Sequence, residues 1–515
     1  MMSLDRLRRD AKALKKAYRA GEAGTKARVH AVLGEPQDFK HADALHVIAR
    51  EAGFPSWPRL KLASEMQAMG RSQRADRLKT ALYLGQAWVV DSLLRSEPDL
   101  GSDNFGLQCA LYDIEDVRSV LAKDKDAATR MVGVRSPILH LAFSRHFKAV
   151  PGREGEMIAV AEALIATGAD VNDSYPFETD SPHRLSALYG ALGHAGNLRL
   201  AEWLLEHGAS PDDNESLYHA TELPTLDGVK LLMRYGVKTK GTNALARMLD
   251  FDNLEGAQLL LDYGADPNER VLDHPSGEPI PTIPALHQAA RRGRDERFVA
   301  LLLRYRADAD ALWMGRSPYA LAMLYGNLSF ANALAAAGHG QKLGEVERIF
   351  AECAQGRAPR GRPLARIKLG DEERRILTRV ILWEEALDQA RALVAAGIDP
   401  NVADEMDMTP LHLAAWAGLP EQVAWLLTLS PDLTHLNAYG GDLLGTIVHG
   451  SENRLDVGLR DHVACARLAL EAGASLRQAD LDGAMDETMV AFLQDWAEAN
   501  PDRVVPRSSQ TSGPD

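Results

Sequence analysis

Only three cysteines, Cys109, Cys353 and Cys465, occur among the 515 residues, far apart and without CxxC spacing. That scarcity excludes a disulfide framework and a cysteine-built zinc site; it fits a reducing compartment in which the thiols act as small buried apolar groups. Positive charge is also in deficit, with 58 Lys and Arg against 72 Asp and Glu and a formal charge of −14. Such a surface repels duplex nucleic acid and anionic membrane except at a local basic patch. No run of about eighteen apolar residues occurs, and the charged N-terminus MMSLDRLRRDAKALKKAYRA is followed by no apolar stretch. Neither a membrane span nor a secretory signal is therefore expected, and the simplest location is the cytoplasm. Signatures of catalysis such as GxSxG and HExxH are missing as well.

What the chain has is an ordinary folded composition, 46% apolar and 25% charged, and repetition. One phrase recurs as AEALIATGADVND at 161–173, AEWLLEHGASPDD at 201–213, AQLLLDYGADPNE at 257–269, ARALVAAGIDPNV at 390–402 and ARLALEAGASL at 466–476. Its apolar residues fall at helical spacing, and Gly168, Gly208, Gly264, Gly397 and Gly473 each follow the last turn, where a left-handed residue ends a helix. The variant VALLLRYRADADA puts Arg306 at that position, where a left-handed backbone costs roughly 1–2 kcal/mol, so this turn is either strained or differently shaped. About twenty residues upstream stands a second phrase: SPILHLA at 136–142, PALHQAA at 284–290, SPYALAM at 317–323 and TPLHLAA at 409–415. Ser136, Ser317 and Thr409 are suited to cap a helix whose first position is Pro, and the small Ala residues allow close packing.

Together the phrases resemble the ankyrin repeat, a unit of about 33 residues with a T-P-L-H-x-A helix start, matched without substitution by Thr409 to Ala414. The resemblance implies an all-α ankyrin-repeat solenoid, a right-handed superhelix of helix-turn-helix units from which finger turns project. It covers residues 75–500 with about ten units. Insertions fall at 144–156, 174–184, 271–282 and 340–370, most of them on the finger side, which in such solenoids is the concave binding face. Residues 1–74 form a basic helical segment expected to cap the array; over 1–63, 13 Lys and Arg stand against 7 Asp and Glu. With Gly53, Phe54, Trp57 and Pro58 it resembles a leader found before bacterial ankyrin arrays. Residues 501–515, rich in Ser, Pro and Gly, read as a disordered tail.

Fold alone does not name a function, which rests on particular residues. His140, His287 and His412 recur at one repeat position, where the resemblance implies a hydrogen bond across the turn to the next unit. A repeat-width apart, they cannot share a metal ion at ligand distances of about 2 Å. The GHGQKLG segment at 338–344 follows a helix rather than a strand and reads as a repeat turn, not a nucleotide fingerprint. The acidic phrase QADLDGAMDE at 478–487 lacks a full calcium-ligand series and matches a finger better. No metal and no cofactor is expected. Tyr175, Phe177, Trp313, Met314, Met406 and Tyr439 fall at turn positions, where an exposed aromatic and methionine row makes a contact surface. His183, Arg184, His274 and Glu278 lie in the insertions and would form any ligand or catalytic pocket on the concave face. Arg357, Arg360, Arg362, Arg366 and Lys368, with no acid among them, suit an anion or an acidic peptide. The leading reading is a non-catalytic scaffold for an unidentified protein partner. The alternatives are a pocket roofed by the insertions and a nucleic-acid-linked regulator acting through the basic segments.

Overall fold

The computed structural model describes residues 4–36, 39, 41–178, 183–270, 283–383, 385–453, 460–484 and 486–505. Its helices alternate short and long, and the chain divides into two compact units. One comprises Glu65–Tyr319 and Ser329–Gly340; the other comprises Met1–Ser64, Ala320–Leu328 and Gln341–Asp515. Both are all-α repeat stacks, as the periodicity requires, and strands are confined among the described residues to two short pairs.

In the first unit a short inner helix is followed by an outer one, as in Phe105–Ala110 with Ile114–Lys123, Ser216–Ala220 with Asp227–Arg234, and Ala285–Arg291 with Glu296–Arg304. Helices of this length do not hold in water alone, so each depends on the apolar face of its neighbours. The inner helices Ala285–Arg291 and Pro410–Trp416 are buried along almost every residue, with Ala289, Ala290, Ala414 and Ala415 at the contacts. The outer helices start on side-chain caps: Asn197 accepts from Leu200 N at 3.1 Å, Asn253 from Gly256 N at 2.8 Å, and Asp461 from Ala464 N at 2.8 Å. Thr409 caps the inner helix that carries the complete motif, accepting from His412 N, whereas Ser136 makes no such side-chain bond.

All five expected glycines end their helices with φ between +95° and +118°. Arg306 adopts the same left-handed region, φ +62°, so its turn is shaped like its sisters and carries the strain. The next step of the phrase ties repeats together. Asn172 donates to Gly208 O at 3.1 Å and accepts from Ser210 N at 2.7 Å; Asn268 does the same with Arg306 O at 2.9 Å and Asp308 N at 2.7 Å.

In the second unit the basic leader folds as four helices, Leu4–Arg19, Ala23–Leu33, His41–Glu51 and Trp57–Ala68, the last running past Ser64. They share a core that includes Leu7, Leu14, Val29, Phe39, Leu45 and Ile48, with Phe54 and Trp57 partly buried against it. Buried Lys15 pairs with Asp495 and, at 3.8 Å, with Glu498 of the helix Glu487–Ala499, so the leader packs on the last helix of the chain. The segment 478–487, expected as a finger, instead opens with the helix Gln478–Gly483, because Asp480 accepts from Arg477 N at 2.9 Å and closes a capping turn. The start of the expected disordered tail is ordered: Val504–Val505 pairs in parallel with Leu476–Arg477, and Arg503 donates to Leu470 O at 2.6 Å. Residues 506–515 lie outside the described residues. All three cysteines are buried. No helix among the described residues is long and apolar enough to cross a membrane.

Candidate interaction surface

The finger turns are built by local polar chemistry. Asn437 Oδ1 accepts from Tyr439 N and Gly441 N, both at 3.0 Å, and Asp404 Oδ1 accepts from Met406 N and Met408 N, both at 2.9 Å; these side-chain turns hold the loop tips open. Two other fingers close on single β-bridges, Val132 with Arg135 and Trp313 with Arg316. The insertion at 174–184 forms a hairpin in which Ser174–Pro176 pairs antiparallel with Arg184–Ser186.

Neighbouring residues of a finger differ in environment: the residue in the bridge or at the strand centre turns inward, and its neighbours toward the turn face water. Leu312 is 56% exposed, Trp313 3% and Met314 51%. Trp313 therefore does not present its ring to solvent; it folds inward near the His287 ring. Tyr175 is likewise buried, at the centre of its strand, with Pro176 and then Phe177 outward. The exposed row expected from sequence thus loses these two aromatics and keeps Phe177, Met314 and Tyr439, while Met406 is half-buried and its carbonyl accepts from Ala438 N at 2.9 Å. Four residues not anticipated join the row: Met131, Val134, Leu312 and Leu436. Seven of the twelve exposed large hydrophobic side chains among the described residues consequently stand on finger turns, which singles these turns out from the rest of the surface.

Beneath the fingers of the first unit lies a polar ladder. Buried Glu215 meets His183 Nε2 at 3.0 Å and His219 Nε2 at 2.9 Å; His219 Nδ1 meets Glu222 at 2.9 Å, and Glu222 meets Arg247 at 2.6 Å. Asp250 continues it, 3.5 Å from Arg247 and 2.7 Å from Arg292. Burial pulls the His219 imidazole down, but Glu215 and Glu222 outweigh it and push the pKa up to about 9. Despite its own burial, Glu222 is held below its ordinary value by His219 and Arg247. The ladder links the hairpin to the inner helices through the contact of His183 with Glu215. Arg184 does not converge with His183: its Nε donates to Ser174 Oγ at 2.8 Å, across the hairpin. His274 and Glu278 lie outside the described residues.

The three recurring histidines are structural. His140 Nε2 donates to Val132 O at 2.9 Å in its own finger, His287 Nε2 to Arg316 O at 3.0 Å in the next, and His412 Nδ1 bonds Thr409 Oγ1 at 2.8 Å; burial pushes each pKa down to about 4. Among the described residues no group of three or more His, Cys, Asp or Glu is placed to hold a metal ion. Arg357, Arg360, Arg362, Arg366 and Lys368 are all exposed on the stretch after the helix Glu345–Cys353. One residue missed from sequence is Arg135, whose guanidinium carbon lies 4.8, 4.6 and 4.7 Å from the ring centres of Tyr83, Phe143 and Tyr175. Its signal was available: an Arg directly precedes Ser-Pro in both bridge-closed fingers, at Arg135 and Arg316.

Residues 379–427 match the family described as ankyrin repeats (many copies). Human ankyrin repeat and SOCS box protein 16 is 38% identical over 96 residues, 18% of this chain, and the chain spans 21% of that relative's length. A crystal structure of the human ASB11 ankyrin repeat domain is similar over 48% of this chain and 96% of its own, at 17% identity and a TM-score of 0.24.

Proposed function

We propose that this chain, whose residues 379–427 match the ankyrin-repeat family, is a non-catalytic recognition scaffold that holds a protein partner on its finger turns. Ankyrin repeats as a class serve protein-protein interaction, which supports the coarse reading. The observation that carries the finer one is the concentration of exposed large hydrophobics on the fingers, in a chain otherwise strongly acidic. An interface draws most of its affinity from a few such anchors, set among polar neighbours that exclude water. Arg357, Arg360, Arg362, Arg366 and Lys368 add a cationic stretch suited to acidic segments of the partner.

The test is affinity capture from native cells with the intact chain, a Phe177→Asp/Met314→Asp variant and a Leu436→Asp/Tyr439→Asp variant, one pair in each unit. These positions are exposed, so the fold should survive, as thermal melts would verify. A stoichiometric protein partner whose recovery falls about tenfold or more in at least one variant is the expected outcome, since losing one well-packed anchor costs over about 1 kcal/mol. Equal recovery by all three proteins would remove the fingers from the interaction.

A further inference from the structure

The first unit holds a cavity of about 230 Å³ whose lining includes Lys79, Tyr83, Leu107, Val134, Arg135 and His140. Finger anchoring does not explain it. Its charge is carried by Arg135. The guanidinium rests against the rings of Tyr83, Phe143 and Tyr175, and Nη2 donates to Tyr175 Oη at 2.7 Å. Its Nε is sealed from solvent and donates to no group among the described residues, and no carboxylate among them pairs with it. By contrast Arg247 and Arg292, on or beside inner helices further along the unit, each meet an acid.

The other polar groups of the lining do not neutralise Arg135. Lys79 is a second cation, already paired with Asp76 at 3.1 Å on its own helix. His140 Nε2 donates to Val132 O, and burial pushes its pKa down to about 4, so at neutral pH it is uncharged. The cavity is thus a positive site in a chain of charge −14. A guanidinium held among three aromatic rings has already lost much of its side-chain freedom, so a carboxylate can bind it without paying for ordering it.

We infer that this cavity receives one Asp or Glu side chain of the protein partner, with Arg135 as its counter-charge and the finger 131–135 as its apolar rim; the inference rests on the recognition reading above. Size favours a side chain over a free metabolite, because sites for whole small molecules run to about 300–1,000 Å³. The rim points the same way: Val134 lines the cavity while 70% exposed, and Met131 on the same turn is 52% exposed. The ligand is therefore an acidic residue flanked by apolar ones.

The experiment pans the immobilised full chain against a random-peptide display library and measures the enriched sequence as a synthetic peptide with blocked ends, beside its acid-to-amide counterpart. The intact chain should enrich one fixed Asp or Glu next to apolar positions and bind the amide peptide at least about tenfold more weakly. In Arg135→Met that difference should vanish. Should Arg135→Met fail a thermal melt, Val134→Asp decides: its site is an exposed turn, and the new carboxylate fills the cavity from within, so the acid preference should again be lost. Equal binding of acid and amide peptides overturns the inference, and so does an acid preference that persists in both variants, which would belong to another cation such as the exposed run from Arg357 to Lys368. If peptides without an acid preference are enriched and lost in Phe177→Asp/Met314→Asp, the recognition reading stands and only the Arg135 inference falls. If no peptide is enriched, both fall.

Discussion

Arg306 shows what a single residue decides here. Five sister turns carry Gly in the left-handed region, whereas Arg306 holds φ +62° with a β-carbon and an exposed side chain. Its structural contribution, the carbonyl that accepts from Asn268, belongs to the backbone and survives any substitution. Arg306→Gly should therefore raise unfolding stability, by about 1 kcal/mol after the greater freedom of the unfolded glycine is subtracted. Denaturant titration checks this, and a fall in the midpoint would mean that the side chain has a role worth more than the strain. Trp313 and Tyr175 teach the opposite lesson: their residue type suggested anchors, but one step along an extended backbone turned each inward.

At the scale of the element, packing distance overrides propensity. Gly450 lies in the helix Leu443–Asn453, and a β-carbon there would sit 2.3 Å from Trp416 O of the inner helix Pro410–Trp416. Gly155, in the helix Glu154–Ala166, faces open space. Alanine favours a helix over glycine by about 0.5–1 kcal/mol, yet Gly450→Ala should destabilise by about 1–3 kcal/mol, while Gly155→Ala should be neutral or stabilising by up to about 1 kcal/mol. Chemical denaturation of the two variants side by side separates these effects, and equal midpoints would show that the helices part without cost. The same dependence explains why the inner helices were legible as TPLHLAA-type phrases but the segment 478–487 was not. Asp480 is common to a finger and to a helix cap, and only its bond to Arg477 N selects the cap.

For the molecule as a whole, the buried histidines set the response to acid. His140, His146, His194 and His287 in the first unit and His412 in the second have pKa values pushed down to about 4 by burial, against about 6.5 when unfolded. Between these values the unfolded chain binds more protons, so stability falls as pH drops through this window, by about 1 kcal/mol per histidine at pH 5.5. His219 has the opposite sign. Its pKa of about 9 makes the folded state bind the extra proton, a contribution present below about pH 6.5 and lost as pH rises through about 9. Thermal melts at pH 5.5, 7 and 9.5 should show a clear loss at the acid end and a smaller one at the alkaline end, the latter absent in His219→Gln. An unchanged melting temperature from pH 7 to 5.5 would mean that these imidazoles are not buried as neutral groups.

The repeat was legible in the sequence because the 3.6-residue periodicity, the glycine stops and the Ser/Thr-Pro starts are local demands of the backbone, frequent enough to show through the copies that depart from them at Arg306 and Pro284. The sequence also located the finger turns, because a turn of Asn, Asp and Gly announces itself through its own hydrogen bonds. Tertiary packing alone selected which side chains face water there, which rings enclose Arg135, and how His183 of the inserted hairpin meets Glu215 of the following repeat. It also decided that the leader packs through Lys15 on a helix some 480 residues away in sequence. Those choices follow from strand register, from close packing and from pairing a buried charge, which join residues distant in the chain and leave no period in it to read.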